Sequence, residues 1–277
     1  MIERVRALCR DDERVVAAMM YGSFTLGEGD RYSDIEFMLF IRDEALPELD
    51  PAAWLSHVAP VELSFVNEHG VVAAIFSNLV RGEFHFDRAS EIRAKLPPSL
   101  RPFAWFPSLE STLLVDRTGE LAACLQALVG PAPERGGPQE TASICHNLIN
   151  GWFFGWNTLQ RGELARALEL LWMVQRNLLH LARLQERAIQ HWPTPSRRLE
   201  QDLSPEGYRR YAACTAALDR AQLERAYRAA WQWARELMAA LAPREGVALP
   251  EGLLAKLDAR ARCGTADERG STQIGDE

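Results

Sequence analysis

The chain has 277 residues, 47% of them apolar, enough to bury one large core or two modest ones. Its 31 basic and 38 acidic residues leave a formal charge of −7, which gives no support to a non-specific nucleic-acid surface. No apolar run reaches the roughly 18 residues of a membrane-spanning helix, and MIERVRALCRDDERV at the start lacks the apolar stretch of a secretory signal. The widely spaced cysteines Cys9, Cys124, Cys145, Cys214 and Cys263 form no CxxC pair and no zinc-type cluster with histidine. A soluble, cytoplasmic protein with free thiols is the expectation.

In chain order, short apolar runs separated by turn signals come first: VVAAMMY, IEFMLFI, VELSFV, VVAAIF, FHF and TLLV, between residues 15 and 118. Interrupted by GEGD, DPAA and NEHG, they predict the strands of a mixed sheet with a few helices. The stretch 61–76 reads as a hairpin turning at Asn67-Glu68-His69-Gly70. Next, Gly and Pro concentrate between Gly130 and Pro138, a natural domain boundary. Beyond it the pattern becomes helical. Leu164, Leu168, Leu171, Val174, Leu178, Leu181 and Leu184 recur every three or four residues and predict a helix over 163–189. The segments 140–160, 205–217 and 220–242 repeat the habit, so the second half reads as a helical bundle. Trp192-Pro193-Thr194-Pro195-Ser196 reads as a loop between helices. The expected organisation is α+β: a mixed-sheet domain over 1–130, a helical bundle over 138–262, and a disordered tail over 263–277.

The chemistry concentrates early. The first apolar strand runs into Gly22-Ser23, where glycine permits close approach of a ligand and serine offers a hydroxyl and an amide N–H to phosphate oxygens. A helix opening at Ser23 would strengthen that site. Ten residues later stand Asp34 and Glu36, separated by Ile35 and followed by an apolar strand. On a strand, i and i+2 share a face, so both carboxylates project together while Ile35 and Phe37 point into the core. Two adjacent carboxylates repel, and a cation relieves the repulsion. Mg²⁺ suits them, since it takes oxygen ligands from one or two carboxylates plus substrate phosphates. An isolated pair of this kind reads more readily as the solvated face of an edge strand; the upstream Gly-Ser turn reverses that preference in favour of the metal.

Glycine-serine, a ten-residue gap and Asp34-Ile35-Glu36 together resemble the signature of the polymerase-β-like nucleotidyltransferase superfamily. MMYGSFTLGEGDRYSDIEF, NLVRGEFHF and RGELARALELL further resemble lincosamide nucleotidyltransferases of the type with a helical C-terminal domain, over nearly the whole chain to about residue 260. The resemblance implies a catalytic N-terminal domain and a helical domain contributing to the acceptor site. It also implies transfer of a nucleoside monophosphate, typically AMP from ATP with Mg²⁺, onto a hydroxyl of lincomycin or clindamycin, and hence antibiotic resistance. A homodimer is compatible with it.

The superfamily pattern implies a third acidic residue. In Arg81-Gly82-Glu83-Phe84-His85-Phe86, alternation puts Arg81, Glu83 and His85 on one face and Phe84 and Phe86 on the other. By resemblance, Glu83 is the general base for the acceptor hydroxyl, with Glu62 as the runner-up; a base must lie within hydrogen-bond reach of the proton it takes. Arg81 and His85 are candidates for orienting phosphate or substrate, although a lone histidine is commonly structural. Tyr32 and Ser33 are candidates for touching the nucleotide, with Ser33 equally readable as a turn residue. The aromatic concentration Trp152, Phe153, Phe154, Trp156 and Trp172 could line an acceptor pocket, and ordinary bundle core is the favoured reading for most of it.

Three other functions stay open. An aminoglycoside nucleotidyltransferase would use the same metal site on another acceptor. A non-catalytic, antitoxin-like interaction module would be favoured by loss of the Gly-Ser turn or the carboxylates, all of which are present. A nucleic-acid polymerase is disfavoured by the acidic balance.

Overall fold

The computed structural model describes residues 1–262; the tail expected to be disordered and Cys263 lie outside them. The chain divides into two compact units, Met1–Pro133 and a second beginning at Glu134, within the Gly/Pro-rich stretch.

The first unit carries α1 (Ile2–Asp11), β1 (Val15–Tyr21), β2 (Ile35–Ile41), α2 (Pro51–Ser56), β3 (Val61–Val66), β4 (Val72–Phe76), β5 (Arg81–Arg88), α3 (Ile92–Lys95), α4 (Leu109–Thr112), β6 (Leu113–Asp116) and α5 (Glu120–Gln126). Its six strands form one mixed sheet in the order β3-β4-β5-β2-β1-β6. β2 and β5 run parallel and every other pair is antiparallel. The predicted hairpin is present: Val66 pairs with Val72 across a turn closed by Gly70 N–H donating to Asn67 O at 3.0 Å.

Both faces of the sheet are covered. On one side Ile35, Phe37, Leu39, Phe76 and Phe84 pack with Trp54 and with Val5 and Cys9 of α1. Phe37 stacks on Phe84 at 5.3 Å between ring centroids, and full burial of each such ring contributes about 1.5–3 kcal/mol. Gly82 belongs to this face for a steric reason: a Cβ there would come within 2.6 Å of the Phe84 ring. On the other side Ala17, Met19 and Phe40 pack with Ile92, Leu96, Leu121 and Leu125. α1 was not foreseen, because its charges mask two buried positions, Val5 and Cys9, one helical turn apart. Burial pushes the Cys9 thiol up to about 12, so it behaves as a small apolar side chain.

The second unit consists of α6 (Pro138–Gln160), α7 (Leu164–Glu186), α8 (Leu199–Asp202), α9 (Pro205–Ala213), α10 (Arg220–Glu245) and α11 (Glu251–Arg262). The leucine stripe of α7 faces the core as its spacing predicted: Leu171, Val174, Leu178, Leu181 and Leu184 are buried, and Leu164 and Leu168 pack at the edge. α10 continues past the expected residue 242 to Glu245 and absorbs Pro243 in its last turn. α11, unpredicted, buries Leu254, Leu257 and Ala261.

Two features hold this unit together. Trp152 stacks on Trp156 at 5.4 Å and lies 4.5 Å from Trp231, its indole N–H donating to Tyr227 O at 2.8 Å. The Tyr227 hydroxyl in turn donates to Ala167 O at 2.7 Å. The second is Arg183, fully buried, whose guanidinium donates to Pro195 O, Ala188 O, Arg197 O and Asp202 Oδ2 at 2.7–2.8 Å. It clasps the predicted Trp192–Ser196 loop from within. The aromatic concentration is split. Trp152 and Trp156 are core, whereas Phe153, Phe154 and Trp172 are exposed, with Arg260, Arg166 and Arg176 over their rings. Helical periodicity separates them, since residues 152 and 156 share a face that 153 and 154 do not.

Among the described residues no helix is long and apolar enough to cross a membrane, and Cys9, Cys124, Cys145 and Cys214 are unpaired.

Candidate active site

The site residues lie where β1 ends and β2 and β5 begin. Gly22 follows β1 with φ +79, a left-handed conformation that glycine adopts without strain. The next residues form a tight turn, not a helix: Leu26 and Glu28 N–H both donate to Ser23 O, at 3.2 and 3.0 Å, and Thr25 Oγ1 donates to Gly22 O at 2.7 Å. A helix cannot continue through Gly27, where φ is +71, so the helix N-terminus considered for Ser23 is absent. Neither the N–H nor the hydroxyl of Ser23 has a partner among the described residues, leaving both for a ligand.

Glu36 lies against Gly22. A Cβ at Gly22 would come within 1.5 Å of Glu36 Oε2, so the carboxylate occupies the space that glycine leaves. Ile35 and Phe37 are buried on the opposite face, as alternation required. The register then brings the third carboxylate alongside: Tyr21 pairs with Glu36 on one side, and Glu36 pairs with Glu83 on the other. Asp34 stands one residue before β2, joined through Arg81, whose guanidinium forms ion pairs with both Asp34 and Glu83. These pairs raise the Arg81 pKa, Glu83 contributing most. Glu62 is exposed on the edge strand β3, separated from β2 by β4 and β5, and does not join the group.

The remaining candidates fall in two places. His85 is on the same face as Glu83, with its Nε2 3.1 Å from the Tyr21 hydroxyl. Burial holds the imidazole below its ordinary pKa and pushes the phenol up, so both are neutral at pH 7. Ser33 is spent in a turn, accepting from Asp30 N–H and donating to Asp30 Oδ1, both at 3.0 Å. Tyr32 is 78% exposed, with Arg31 over its ring. Tyr21 is the residue the sequence reading missed. The signal was its position as the last strand residue before Gly22, but its partner is 64 residues away and only the strand register reveals it.

Among the described residues no three His, Cys, Asp or Glu side chains converge into a metal cage. Asp34 and Glu36 nevertheless fit a hard cation that takes part of its coordination from substrate phosphates. Arg81 marks the place between Asp34 and Glu83 as one where positive charge is favoured. Its side chain is 43% exposed, and exposed ion pairs contribute only about 0–1 kcal/mol each, so it is free to yield.

Residues 138–260 match a family described as lincosamide nucleotidyltransferase-like, C-terminal domain. The helical unit is therefore similar to the C-terminal domain of nucleotidyltransferase-like proteins. The resemblance drawn from the sequence holds for this half. Among solved structures, an aminoglycoside 6-adenyltransferase from Bacillus subtilis is 13% identical, with a TM-score of 0.45 over 95% of this chain and 98% of that one. A nucleotidyltransferase-like protein from Exiguobacterium sibiricum 255-15 is 14% identical, with a TM-score of 0.40 over 87% and 77%. No curated protein matches the chain.

Proposed function

We propose that the protein is an adenylyltransferase that moves AMP from ATP to a hydroxyl of a lincosamide antibiotic. The observation that carries the reading is the row of Glu36 and Glu83 on adjacent parallel strands, with Gly22 against Glu36 and Asp34, two residues before Glu36, tied to Glu83 through Arg81. The family of the helical unit supports the acceptor class.

In this reading Asp34 and Glu36 hold Mg²⁺, which when bound supplies polarisation of the α-phosphate and neutralises charge on the leaving pyrophosphate. The chain's own groups do the rest. Ser23 N–H and hydroxyl donate to phosphate oxygens. Glu83 takes the proton of the acceptor hydroxyl as its oxygen bonds to the α-phosphorus and the bond to pyrophosphate breaks. Arg81 turns from the carboxylates to the phosphate oxygens, exchanging one anionic partner for another. The neutral Tyr21–His85 pair lies on the same face of the sheet as Glu36 and Glu83 and adds no charge to it. A cytoplasmic, homodimeric protein goes with this reading, and light scattering checks the dimer.

The test is incubation with ATP and Mg²⁺ against lincomycin, clindamycin and a set of aminoglycosides, read by mass spectrometry. AMP on the lincosamides is the expected product. AMP on aminoglycosides alone overturns the acceptor, and no adduct on any compound overturns the reading.

A further inference from the structure

A cleft of about 670 Å³ opens within the helical unit, where the start of α6 lies beside the end of α7. Its volume is that of a small-molecule site. Ser143 and Asn147 of α6 and Asn177 and His180 of α7 supply its polar lining, and Trp192 part of its apolar surface. His180 lies 4.4 Å from Trp192 between ring centroids, with Nε2 3.1 Å from Trp192 O. The two asparagines are half-used. Asn177 Nδ2 donates to Met173 O at 2.9 Å and Asn147 Nδ2 to Ser143 Oγ at 3.5 Å, while neither amide oxygen has a donor among the described residues.

The charge of the cleft narrows its ligand. Gly136 and Gly137 immediately precede α6 here, but their N–H groups donate to Glu140 Oε2 and Glu245 Oε2 at 2.8 and 2.7 Å, so the helix start is closed to an outside anion. Glu140 also pairs with Arg135 at 3.3 Å, which leaves it little attraction for an outside cation. Burial holds His180 below its ordinary pKa, and it enters as a neutral ring. A phosphate-bearing ligand would find no free cation, and a polyamine no free carboxylate. What remains is acceptor oxygens and a hydroxyl beside an aromatic wall, complementary to a hydroxylated, weakly charged molecule.

We infer that this cleft binds the acceptor, that the amide oxygens of Asn147 and Asn177 receive its hydroxyls, and that its electroneutral lining selects a sugar-amide over a polycationic aminoglycoside. For the identity of the ligand the inference rests on the transfer reading above.

Calorimetry on the full chain without nucleotide tests it, with lincomycin and kanamycin as probes. Lincomycin binds saturably and kanamycin more weakly. Asn147→Ala and Asn177→Ala each raise the lincomycin Kd about two- to tenfold, the worth of one neutral hydrogen bond, and leave the KM for ATP unchanged. Both side chains lie on helix surfaces, and circular dichroism verifies the fold of each variant. Asp34→Asn binds lincomycin as the wild type does while losing transfer. Unchanged lincomycin affinity in both variants overturns the cleft, even if transfer to lincomycin is observed. Tighter binding of kanamycin, weakened by the same substitutions, overturns the selectivity. Variant-sensitive lincomycin binding in a protein that transfers AMP to nothing upholds the cleft and sinks the transfer reading instead.

Discussion

Each unit contains an arginine beside a carboxylate, and the two are built to opposite ends. Arg183 is fully buried, and its guanidinium is committed to three loop carbonyls and Asp202. Nothing can displace it without leaving buried acceptors unsatisfied, which makes it a fastener. Arg81 also spans two segments, but its partners are carboxylates alone and its side chain is 43% exposed. It can leave without unfolding anything. Burial and partner type together separate an arginine that builds a domain from one that waits at the proposed site.

That contrast can be broken in several ways. The largest effect is expected from Asp34→Asn or Glu36→Gln, each of which lowers AMP transfer by on the order of 10³-fold, as loss of transition-state electrostatics does. The thermal unfolding midpoint stays near that of the wild type; a variant with near-normal turnover would sink the metal assignment. Arg183→Met acts the other way. It lowers the stability of the helical unit by about 3–5 kcal/mol, the range for removing one partner of a buried pair, read by urea unfolding followed through tryptophan fluorescence. A smaller effect appears in acid. Burial alone would raise the Asp202 carboxyl, but hydrogen bonds from His191 at 2.5 Å and from Arg183 outweigh it and hold the group below its ordinary pKa. A folded pKa below the unfolded value of about 3.9 gives stability that is present above that value and drains away as pH falls through the folded one. Thermal unfolding between pH 3 and 6 should therefore show a loss below about pH 4 that is reduced in Asp202→Asn. The least effect belongs to Glu62→Gln, on a strand with two others between it and β2, which leaves transfer within about twofold, as surface substitutions commonly do. A large loss there would return Glu62 to candidacy as the base.

The strands were legible because each apolar run is bounded by Gly, Pro, Asn or Asp. VVAAMMY and IEFMLFI coincide with β1 and β2 residue for residue. α7 was legible because seven apolar residues keep one period. α1 and α11 were not, since each buries only two or three residues among charges. At the site, local spacing was enough for Asp34, Glu36 and the alternation of Arg81, Glu83 and His85. It was not enough for the Arg81 bridge, the Tyr21–His85 contact or the exclusion of Glu62, because these depend on β5 lying parallel to β2. Strand order is set by the whole sheet. The Arg183 clasp was hidden for a related reason: most of its acceptors are backbone carbonyls, which every residue carries and no sequence pattern marks.

The missing Cβ at Gly22 has a consequence for mutagenesis. Positions 22 and 36 share one volume, so neither is an independent variable. Gly22→Ala both strains the backbone and expels the Glu36 carboxylate, and its phenotype will resemble that of a position-36 variant. Glu36→Asp shortens the side chain and vacates the same space. In the double substitution the steric part of the two penalties should cancel while the backbone strain persists, a non-additive result that a cycle of single and double variants would measure. A mutational scan taken one position at a time would score both residues as intolerant, although their shared volume is a single steric constraint.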